Sequence, residues 1–497
     1  MSPPSVAAAA LLLLLTLLPL SSSAAASTIC IIGSGISGSS LSHFLRHYSS
    51  SSSSHNSSSI STIHVFERNA IVGGRMSTIS LSNHTFEAGA SILHPKNYHA
   101  ARFRDELGLR VKGKVEEDSD TIGVWDGEKF VFKSIIVDSK STVVRKVVEK
   151  VNAVRLLWRY GFSLMRMQSF VESMLGKFLK YYESVETRPV FETVEEMLRW
   201  SGLYDLTRRS LEEELIDAGL SPLLIQELVT VITRINYGQS VKMSGLAGAV
   251  SLAGSGGDLW AIEGGNWQMA AGLINGSDVE LHLNEEIVSV SNLGDSYELN
   301  STQGNSYACD VAVVATPLDE VNIQFDPPVS VPPRKLQHTY TTFIRGLLNP
   351  TYFGLKAVSE IPELVGTLEN PDIPFSSVSV LKKHSENDMS YKIFSRQPVD
   401  DALLDQLFSV RKETTRINWG AYPEYKAPET FAPFILDGSH LYYINAFESA
   451  ASAMETGAVA AENMARLILS RFSSKPRPSL TNTGDSDPVS RTLHVDL

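Results

Sequence analysis

Gly33-Ser34-Gly35-Ile36-Ser37-Gly38 follows directly on the apolar run Ile29-Cys30-Ile31-Ile32. Glycines at this spacing, between a buried-type strand and a helix-like segment (Ile36 to Tyr48), suit the binding of a pyrophosphate. One glycine makes the tight turn, one lets the backbone approach the phosphates, and one lets helix and strand pack closely, with the phosphates at the helix N-terminus. An acidic partner for a ribose hydroxyl is expected ~20 residues further on. Glu67 ends the strand Thr62-Ile63-His64-Val65-Phe66 but lies 29 residues after Gly38. The serine-rich stretch 49–59 accounts for 11 of these, leaving 18, so the mismatch reads as a surface insert in an ordinary βαβ unit. A second glycine turn, Ile71-Val72-Gly73-Gly74-Arg75, follows shortly after Glu67 and Arg68.

The elements that must position these residues are spread along the whole chain. From Thr28 to Gly89 the pattern is strand, helix, strand, glycine turn and a hairpin around Asn83; Val124–Phe132 is a further hairpin with an Asp-Gly turn. Helical periodicity dominates from about Ser141 to Thr233. There Val147, Val151, Val154, Leu157, Trp158, Phe162, Met165 and Phe170 form an apolar stripe. The favoured reading of that stripe is a helix packed on the protein; the alternatives are a lid over an apolar substrate or a helix on a membrane surface. Glu280–Leu283, Glu286–Val290 and Asp310–Ala315 read as strands, residues 334 to 440 as a mix of strands and loops, and Leu441–Glu448 as a strand before a helix from about Glu455 to Arg471. Both ends of the chain thus serve one nucleotide domain. The Gly73-Gly74-Arg75 turn and the late helix favour FAD over a nicotinamide cofactor.

The expected architecture is α/β: a Rossmann-type FAD-binding domain interleaved with a mixed-sheet plus helical substrate domain. The segments are 1–26 (signal peptide), 27–110 (FAD-binding), 111–240 (helical, substrate), 241–325 (FAD-binding), 326–435 (substrate sheet), 436–472 (FAD-binding strand and helix) and 473–497 (disordered tail). A chain of 497 residues is long enough for two cores. A net charge of −12 without a large basic cluster argues against nucleic acid. The apolar run Ala7–Leu20 before the small residues up to Ala26 reads as a secretory leader, and no later run has 18 apolar residues. Sequons at Asn56, Asn83, Asn275 and Asn300 agree with that route. The two cysteines, Cys30 and Cys309, are expected to be packed thiols rather than a disulfide.

Glu67-Arg68-x4-Gly73-Gly74-Arg75, with Glu448 and Met454-Glu455-x-Gly457-Ala458, resembles the amine-oxidase-like flavoprotein superfamily. Glu87-Ala88-Gly89-Ala90-Ser91-Ile92-Leu93-His94-Pro95-x-Asn97-x-His99 is similar, more specifically, to the prenylcysteine oxidase and farnesylcysteine lyase family. So are Arg234-Ile235-Asn236-Tyr237-Gly238-Gln239-Ser240, Ser244–Gly254 and Leu259–Asn266, and the likeness runs from about residue 28 to 471. It implies FAD held by Gly33, Ser34, Gly35, Gly38, Glu67, Arg68, Gly73, Gly74, Arg75, Gly89, Ala90, Ser91, Glu448 and Met454. It also implies that farnesylcysteine is cleaved with O2 and water to farnesal, cysteine and hydrogen peroxide. The C1 carbon of a prenyl thioether is both allylic and bonded to sulfur, so hydride loss there leaves a stabilised cation that water converts to aldehyde and thiol. A lysosome- or vacuole-like destination is implied, with the extracellular space as the alternative.

For the chemistry itself the candidates are His94, His99, Arg234 and Tyr237. Either histidine is suited to a weak acid–base role in the water step or to an ordinary hydrogen bond. Arg234 is suited equally to a substrate carboxylate and to an internal ion pair. His338, Tyr340 and Arg345 are weaker versions of the same idea. No metal site is expected. Met243, Leu246, Val250, Leu252 and Trp260 are candidates for a prenyl slot or for plain core. Two rivals stay open: another flavin oxidase or desaturase, and a non-catalytic prenyl binder resembling Rab escort proteins. The partners expected are a small prenylcysteine and O2, with peripheral membrane contact and oligomeric state left open.

Overall fold

The computed structural model describes residues 27–51, 60–113, 121–137 and 141–473. The leader at 1–26, the sequon at Asn56 and the tail from 474 lie outside the described residues. The chain opens with β1 (Ser27–Ile32), α1 (Ile36–Ser51) and β2 (Ile60–Glu67), then the hairpin β3 (Thr78–Leu81) and β4 (His84–Glu87). Helix α2 (Tyr98–Glu106) leads to a second hairpin, β5 (Ile122–Trp125) and β6 (Phe130–Lys133). The helical region contains α3 (Thr142–Tyr160), α4 (Ser163–Phe178), α5 (Thr230–Tyr237), α6 (Gly245–Ala253) and α7 (Trp267–Gly276). Short strands follow: β7 (Glu280–Leu283), β8 (Ile287–Asn292), β9 (Tyr297–Ser301), β10 (Ser306–Cys309), β11 (Val311–Val314) and β12 (Gln324–Asp326). Strands β13 (Leu336–Leu348), β14 (Leu364–Thr367), β15 (Ser377–Ser385), β16 (Asp388–Ser395) and β17 (Phe408–Pro423) precede β18 (Leu441–Tyr443) and α8 (Met454–Ser473).

One sheet joins both ends of the chain. It is parallel throughout, in the order β18-β11-β1-β2-β7, with Ile31 of β1 paired to Val313 on one side and Val65 on the other. Ile29 to Ile31 are fully buried, as a strand covered on both faces requires. Helix α8 packs on α1 so closely that a Cβ on Gly457 would lie 2.9 Å from Ser37 Oγ. A second, seven-stranded sheet runs β17-β13-β16-β15-β14-β5-β6 and is antiparallel except for the β14/β5 pair. Its long central strands carry the second core, around Ile344, Phe375 and Ile393. A small sheet, β10-β9-β8-β12, flanks the nucleotide side.

Three expectations change. The strand expected over Leu441–Glu448 stops at Tyr443, and Ile444–Ser449 winds into a 3-10 turn that aims Asn445 and Glu448 at the same cleft. The apolar stripe does not pack on the protein: Val147, Val151, Val154, Leu157, Trp158, Phe162 and Met165 are all exposed, and only Phe170 is covered in part. Cys30 and Cys309 are a disulfide, with Cα atoms 5.9 Å apart. Cys309 ends β10, two residues before β11, and β11 docks beside β1 with Cys30 opposite Ala312, which brings the two sulfurs together across 279 residues of chain. A bridge closing so long a loop constrains the unfolded chain strongly. The Cys30→Ser/Cys309→Ser variant should therefore lose about 2–5 kcal/mol of stability in denaturant titration, and alkylation of unreduced, unfolded wild-type protein should label neither cysteine.

Candidate cofactor and substrate site

The β1–α1 turn, the Gly73-Gly74 turn and the N-terminus of α8 converge on one cleft of about 330 Å³. Gly33 adopts φ +111° and a Cβ there would sit 2.7 Å from Ala315 O, so only glycine fits. Gly38 does not line the cleft but closes the turn beneath it, where a Cβ would lie 2.0 Å from Gly33 O. Glu67, buried at the end of β2, accepts hydrogen bonds from Ser34 N (3.2 Å) and Ser34 Oγ (2.6 Å) through one oxygen, and from Asn69 N (2.9 Å) through the other. Its carboxylate faces the glycine turn, as ribose binding needs. Arg75 pairs with Glu448 and donates to Ala421 O at 2.9 Å. Gly89 is pinned under Trp419: a Cβ would meet Arg75 O at 2.1 Å and the indole at 2.4 Å. Gly35, Arg68, Gly74, Ala90 and Met454 complete the wall, whereas Ser91 turns away, donating to Gly89 O at 2.6 Å and lining a different cavity.

That second cavity, of about 860 Å³, shares Gly89, Ala90, Phe394, Tyr422 and Ser452–Met454 with the cleft. Its lining is largely apolar, with Met174, Leu175 and Phe178 from α4, Val250 and Ala253 from α6, and Leu259 and Trp260 from the glycine-rich segment. Of the expected slot residues, Val250 and Trp260 are here, while Met243, Leu246 and Leu252 belong to the core.

Two ionisable groups line the second cavity beside that wall. Glu87 closes β4 and accepts from Asn266 N at 2.6 Å, while its other oxygen is buried without a hydrogen-bond partner. Burial pushes its carboxyl up to about 7, against the opposing hydrogen bond from Asn266 and the charge of Lys392. Lys392, on β16, donates to Glu87 O at 3.0 Å and lies 4.5 Å from the centre of the Phe394 ring. Burial pulls its ammonium down to about 8. Neither group was singled out from the sequence by role, although Glu87 opens the motif ending at His99. Its strand-end position after an alternating hairpin was the available signal; Lys392 had none.

The four chemical candidates separate. His94 lines the second cavity; its Nδ1 accepts from Lys96 N at 3.0 Å, and burial lowers its pKa. Tyr237 also lines it, but its hydroxyl is committed to Ser452 O at 2.7 Å and its ring is wedged against Tyr422 and Tyr425. His99 lies in neither cavity: it is buried among Phe44, Phe103 and Tyr182, facing Glu462 at 3.6 Å. Arg234 is likewise structural, buried with Glu369 at 2.9 Å and Thr367 Oγ1 at 3.0 Å. His338 pairs with Glu320 and Arg345 with Asp388, both at 2.7 Å, and neither they nor Tyr340 lines either of the two cavities. Away from the site, His64 Nδ1 and His282 Nε2 share a hydrogen bond at 3.1 Å beside Glu280, on the edge of the parallel sheet.

Comparison with known proteins decides among flavoprotein classes. The family model for prenylcysteine lyase matches residues 143–479, and that for an NAD(P)-binding Rossmann-like domain matches 31–107. The chain belongs to the prenylcysteine lyase family. It is 61% identical to the farnesylcysteine lyase of Arabidopsis thaliana over 94% of this chain and 92% of that protein. It is 32% identical to prenylcysteine oxidase 1 of Homo sapiens, over 94% of this chain and 93% of that one. Among solved structures, a putrescine oxidase variant superposes with a TM-score of 0.57 at 13% identity, over 90% of this chain and 99% of that one. The cyclohexylamine oxidase of Brevibacterium oxydans does so at 0.56 and 16%, with the same coverage. These last two establish the amine-oxidase-like fold alone.

The cofactor of this family member is FAD, and the cleft fits it. The glycine turn and the N-terminus of α1 suit the pyrophosphate, Glu67 the ribose, and the Gly73-Gly74 turn with the N-terminus of α8 the more distant parts of the cofactor. Gly38→Ala drives a methyl group into Gly33 O, so the purified variant should stay folded by circular dichroism but carry little flavin, read as loss of visible absorbance.

Proposed function

We propose that this protein is an FAD-dependent thioether oxidase that cleaves farnesyl-L-cysteine with O2 and water to farnesal, cysteine and hydrogen peroxide. The observation that carries this reading is the apolar cavity of about 860 Å³ sharing a wall with the cofactor cleft. An isoprenoid chain gains about 0.8 kcal/mol per buried methylene-sized group, and Met174, Leu175, Phe178, Val250 and Trp260 supply the apolar lining. Lys112 and Glu263, both exposed at the cavity mouth, offer opposite charges to an amino-acid zwitterion.

Bound FAD supplies the two-electron oxidation of C1 and passes the electrons to O2. The residues of this chain handle the water. Glu87 takes the proton from the water that adds to C1, since a carboxylate with a pKa of about 7 is a competent base near neutrality. The hydroxyl so formed on C1 then loses its proton as the C–S bond breaks, and the departing sulfur becomes the cysteine thiol. Lys392 stabilises the Glu87 carboxylate through its positive charge, and Phe394, Tyr422 and Trp260 keep other water from C1.

The protein is further proposed to be a glycoprotein of the secretory pathway, delivered to a lysosome or vacuole. The buried disulfide supports that route, because such bonds persist in oxidising compartments. Asn83 at a hairpin tip and Asn275 near the end of α7 are exposed and accessible to a glycan, whereas Asn300 lies on β9 with its amide donating to Ser289 Oγ.

Aerobic incubation with farnesylcysteine should release farnesal and peroxide in equal amounts. Turnover of an amine with no farnesal would overturn the assignment. Because the base form of Glu87 is populated only above about pH 7, kcat/KM should rise through that pH and fall again as Lys392 loses its proton near 8. Glu87→Gln should abolish the rising limb and lower the rate by about 10²–10⁴-fold, with bound flavin retained.

A further inference from the structure

His64, Glu280 and His282 stand together at the edge of the parallel sheet, and none of them lines either cavity. Strand pairing puts them there. β2 and β7 run parallel with His64 opposite Glu280 and Phe66 opposite His282, and residues two apart in a strand share a face. Both rings are held by neighbours. His282 stacks on Phe66 with 4.9 Å between ring centres and meets Tyr307 edge-on at 5.0 Å; His64 lies 6.0 Å from the same tyrosine. The His64 side chain is 17% exposed and that of Glu280 62%, so the group opens to solvent on the carboxylate side.

Three ligand atoms converge between the strands. His64 Nδ1 lies 3.1 Å from His282 Nε2 and 3.3 Å from Glu280 Oε2, and all three fall within 4.8 Å of one another. Among the described residues, no other histidine, cysteine and carboxylate groups bring three ligand atoms so close. Hydrogen bonding leaves the group incomplete. A neutral ring nitrogen offers either one proton or one lone pair, so Nδ1 cannot both accept from His282 and donate to Glu280. A cation between the three atoms takes a lone pair from each. Across zinc bonds of about 2.0–2.2 Å, the 3.1 Å separation subtends about 95–100° at the ion and the 3.3 Å separation about 100–110°. Such angles suit a tetrahedral ion. Two imidazoles and a carboxylate also suit zinc, whereas calcium and magnesium favour shells of oxygen.

We propose that His64, Glu280 and His282 form a zinc site, with water as the fourth ligand on the exposed side. Its effect is on the edge of the sheet. β7 is a four-residue edge strand, and just beyond it Asn284 N donates to Asn69 O at 3.1 Å and Glu285 N to Glu67 O at 2.9 Å. Glu67, Asn69 and Glu285 all line the cofactor cleft. An ion shared by β2 and β7 therefore fastens the edge strand next to the ribose end of that cleft. The site uses no residue of the thioether chemistry and stands apart from that reading.

The test is equilibrium dialysis of tag-free, FAD-loaded protein, first stripped with a chelator, against zinc chloride. The wild type should bind one zinc per chain at micromolar free zinc, undisplaced by excess calcium or magnesium, and X-ray absorption at the zinc edge should show two imidazole ligands. Glu280→Gln should weaken binding by about tenfold or more, and His64→Asn/His282→Asn should abolish it with the flavin retained. Zinc should raise the Tm of the wild type and leave that of the double variant unchanged. His84→Asn/His384→Asn, at another histidine pair with ring centres 5.1 Å apart, should bind zinc as the wild type does. Absence of stoichiometric zinc, equal binding by the His64/His282 variant, loss of binding in the His84/His384 variant, or binding without a rise in Tm would each overturn the proposal. Should the double variant lose its flavin and its fold, Glu280→Gln, which alters an exposed side chain, still decides the result.

Discussion

Arg75 and Glu448 lie 373 residues apart and meet inside the cofactor cleft. Arg75 also donates to Ala421 O on the long strand β17, so one guanidinium ties together the second glycine turn, the substrate sheet and the C-terminal segment. Arg334 approaches the other carboxylate oxygen at 3.7 Å and binds Asp319 at 2.6 Å, which adds the end of the parallel sheet to the joint. A buried pair of this kind is weak evidence of net stability, because desolvation offsets much of the attraction. Its consequence is specificity: the four segments have one arrangement in which Arg75, Glu448, Arg334 and Asp319 all meet opposite charges.

The joint also reaches the substrate side. Glu448 O accepts from Tyr425 Oη, which accepts from Ser452 N, and Ser452 O accepts from Tyr237 Oη on α5. Tyr237, Ser452 and Tyr422 stand in the wall of the second cavity, so the cofactor cleft and the apolar cavity share a hydrogen-bonded frame. Across that wall the backbone must come close, and Gly89 permits it where any Cβ would strike Arg75 O. Beside that wall, burial raises the carboxyl of Glu87 and lowers the ammonium of Lys392, bringing both groups into the range where a proton can be taken or held near neutral pH.

What was legible in the sequence follows the range over which each signal acts. The β1–α1 turn, the acidic end of β2 and the Gly73-Gly74 turn are local devices, and all but Gly38 line the cleft directly. The interleaving of the two sheets was legible because apolar strands with the same signature recur at both ends of the chain. Pairings made only by folding were not legible. Arg234 finds Glu369 and His99 finds the α8 carboxylates, partners 135 and more than 350 residues away. The disulfide escaped for the same reason, since two lone cysteines carry no spacing rule until β11 is laid beside β1. Lys392 sits in a strand of ordinary composition, and nothing in Ser390-Tyr391-Lys392-Ile393-Phe394 distinguishes an inward lysine from an outward one until the register of β13 and β16 is known.

Helix α3 shows a further limit of periodicity. A repeat of 3.6 residues says that one face of a helix avoids water, and it says nothing about what replaces the water. Protein core and bilayer both satisfy the pattern, and the core is the more frequent answer. The flanks do not separate the two. A helix packed on an acidic protein has a reason to carry cations on the side that meets it: Arg159 forks onto the buried Glu227, and Arg155 donates to Lys133 O. A helix lying in an interface gains from cations at the margins of its apolar face, where their stems cover apolar surface and their heads reach phosphate. In α3 Lys146 and Lys150 lie at and within one edge of the apolar sector, whereas Arg159 stands as far from its centre as Glu149 does. The exposed stripe itself, more than the charge around it, is what the contacts of the fold leave unexplained.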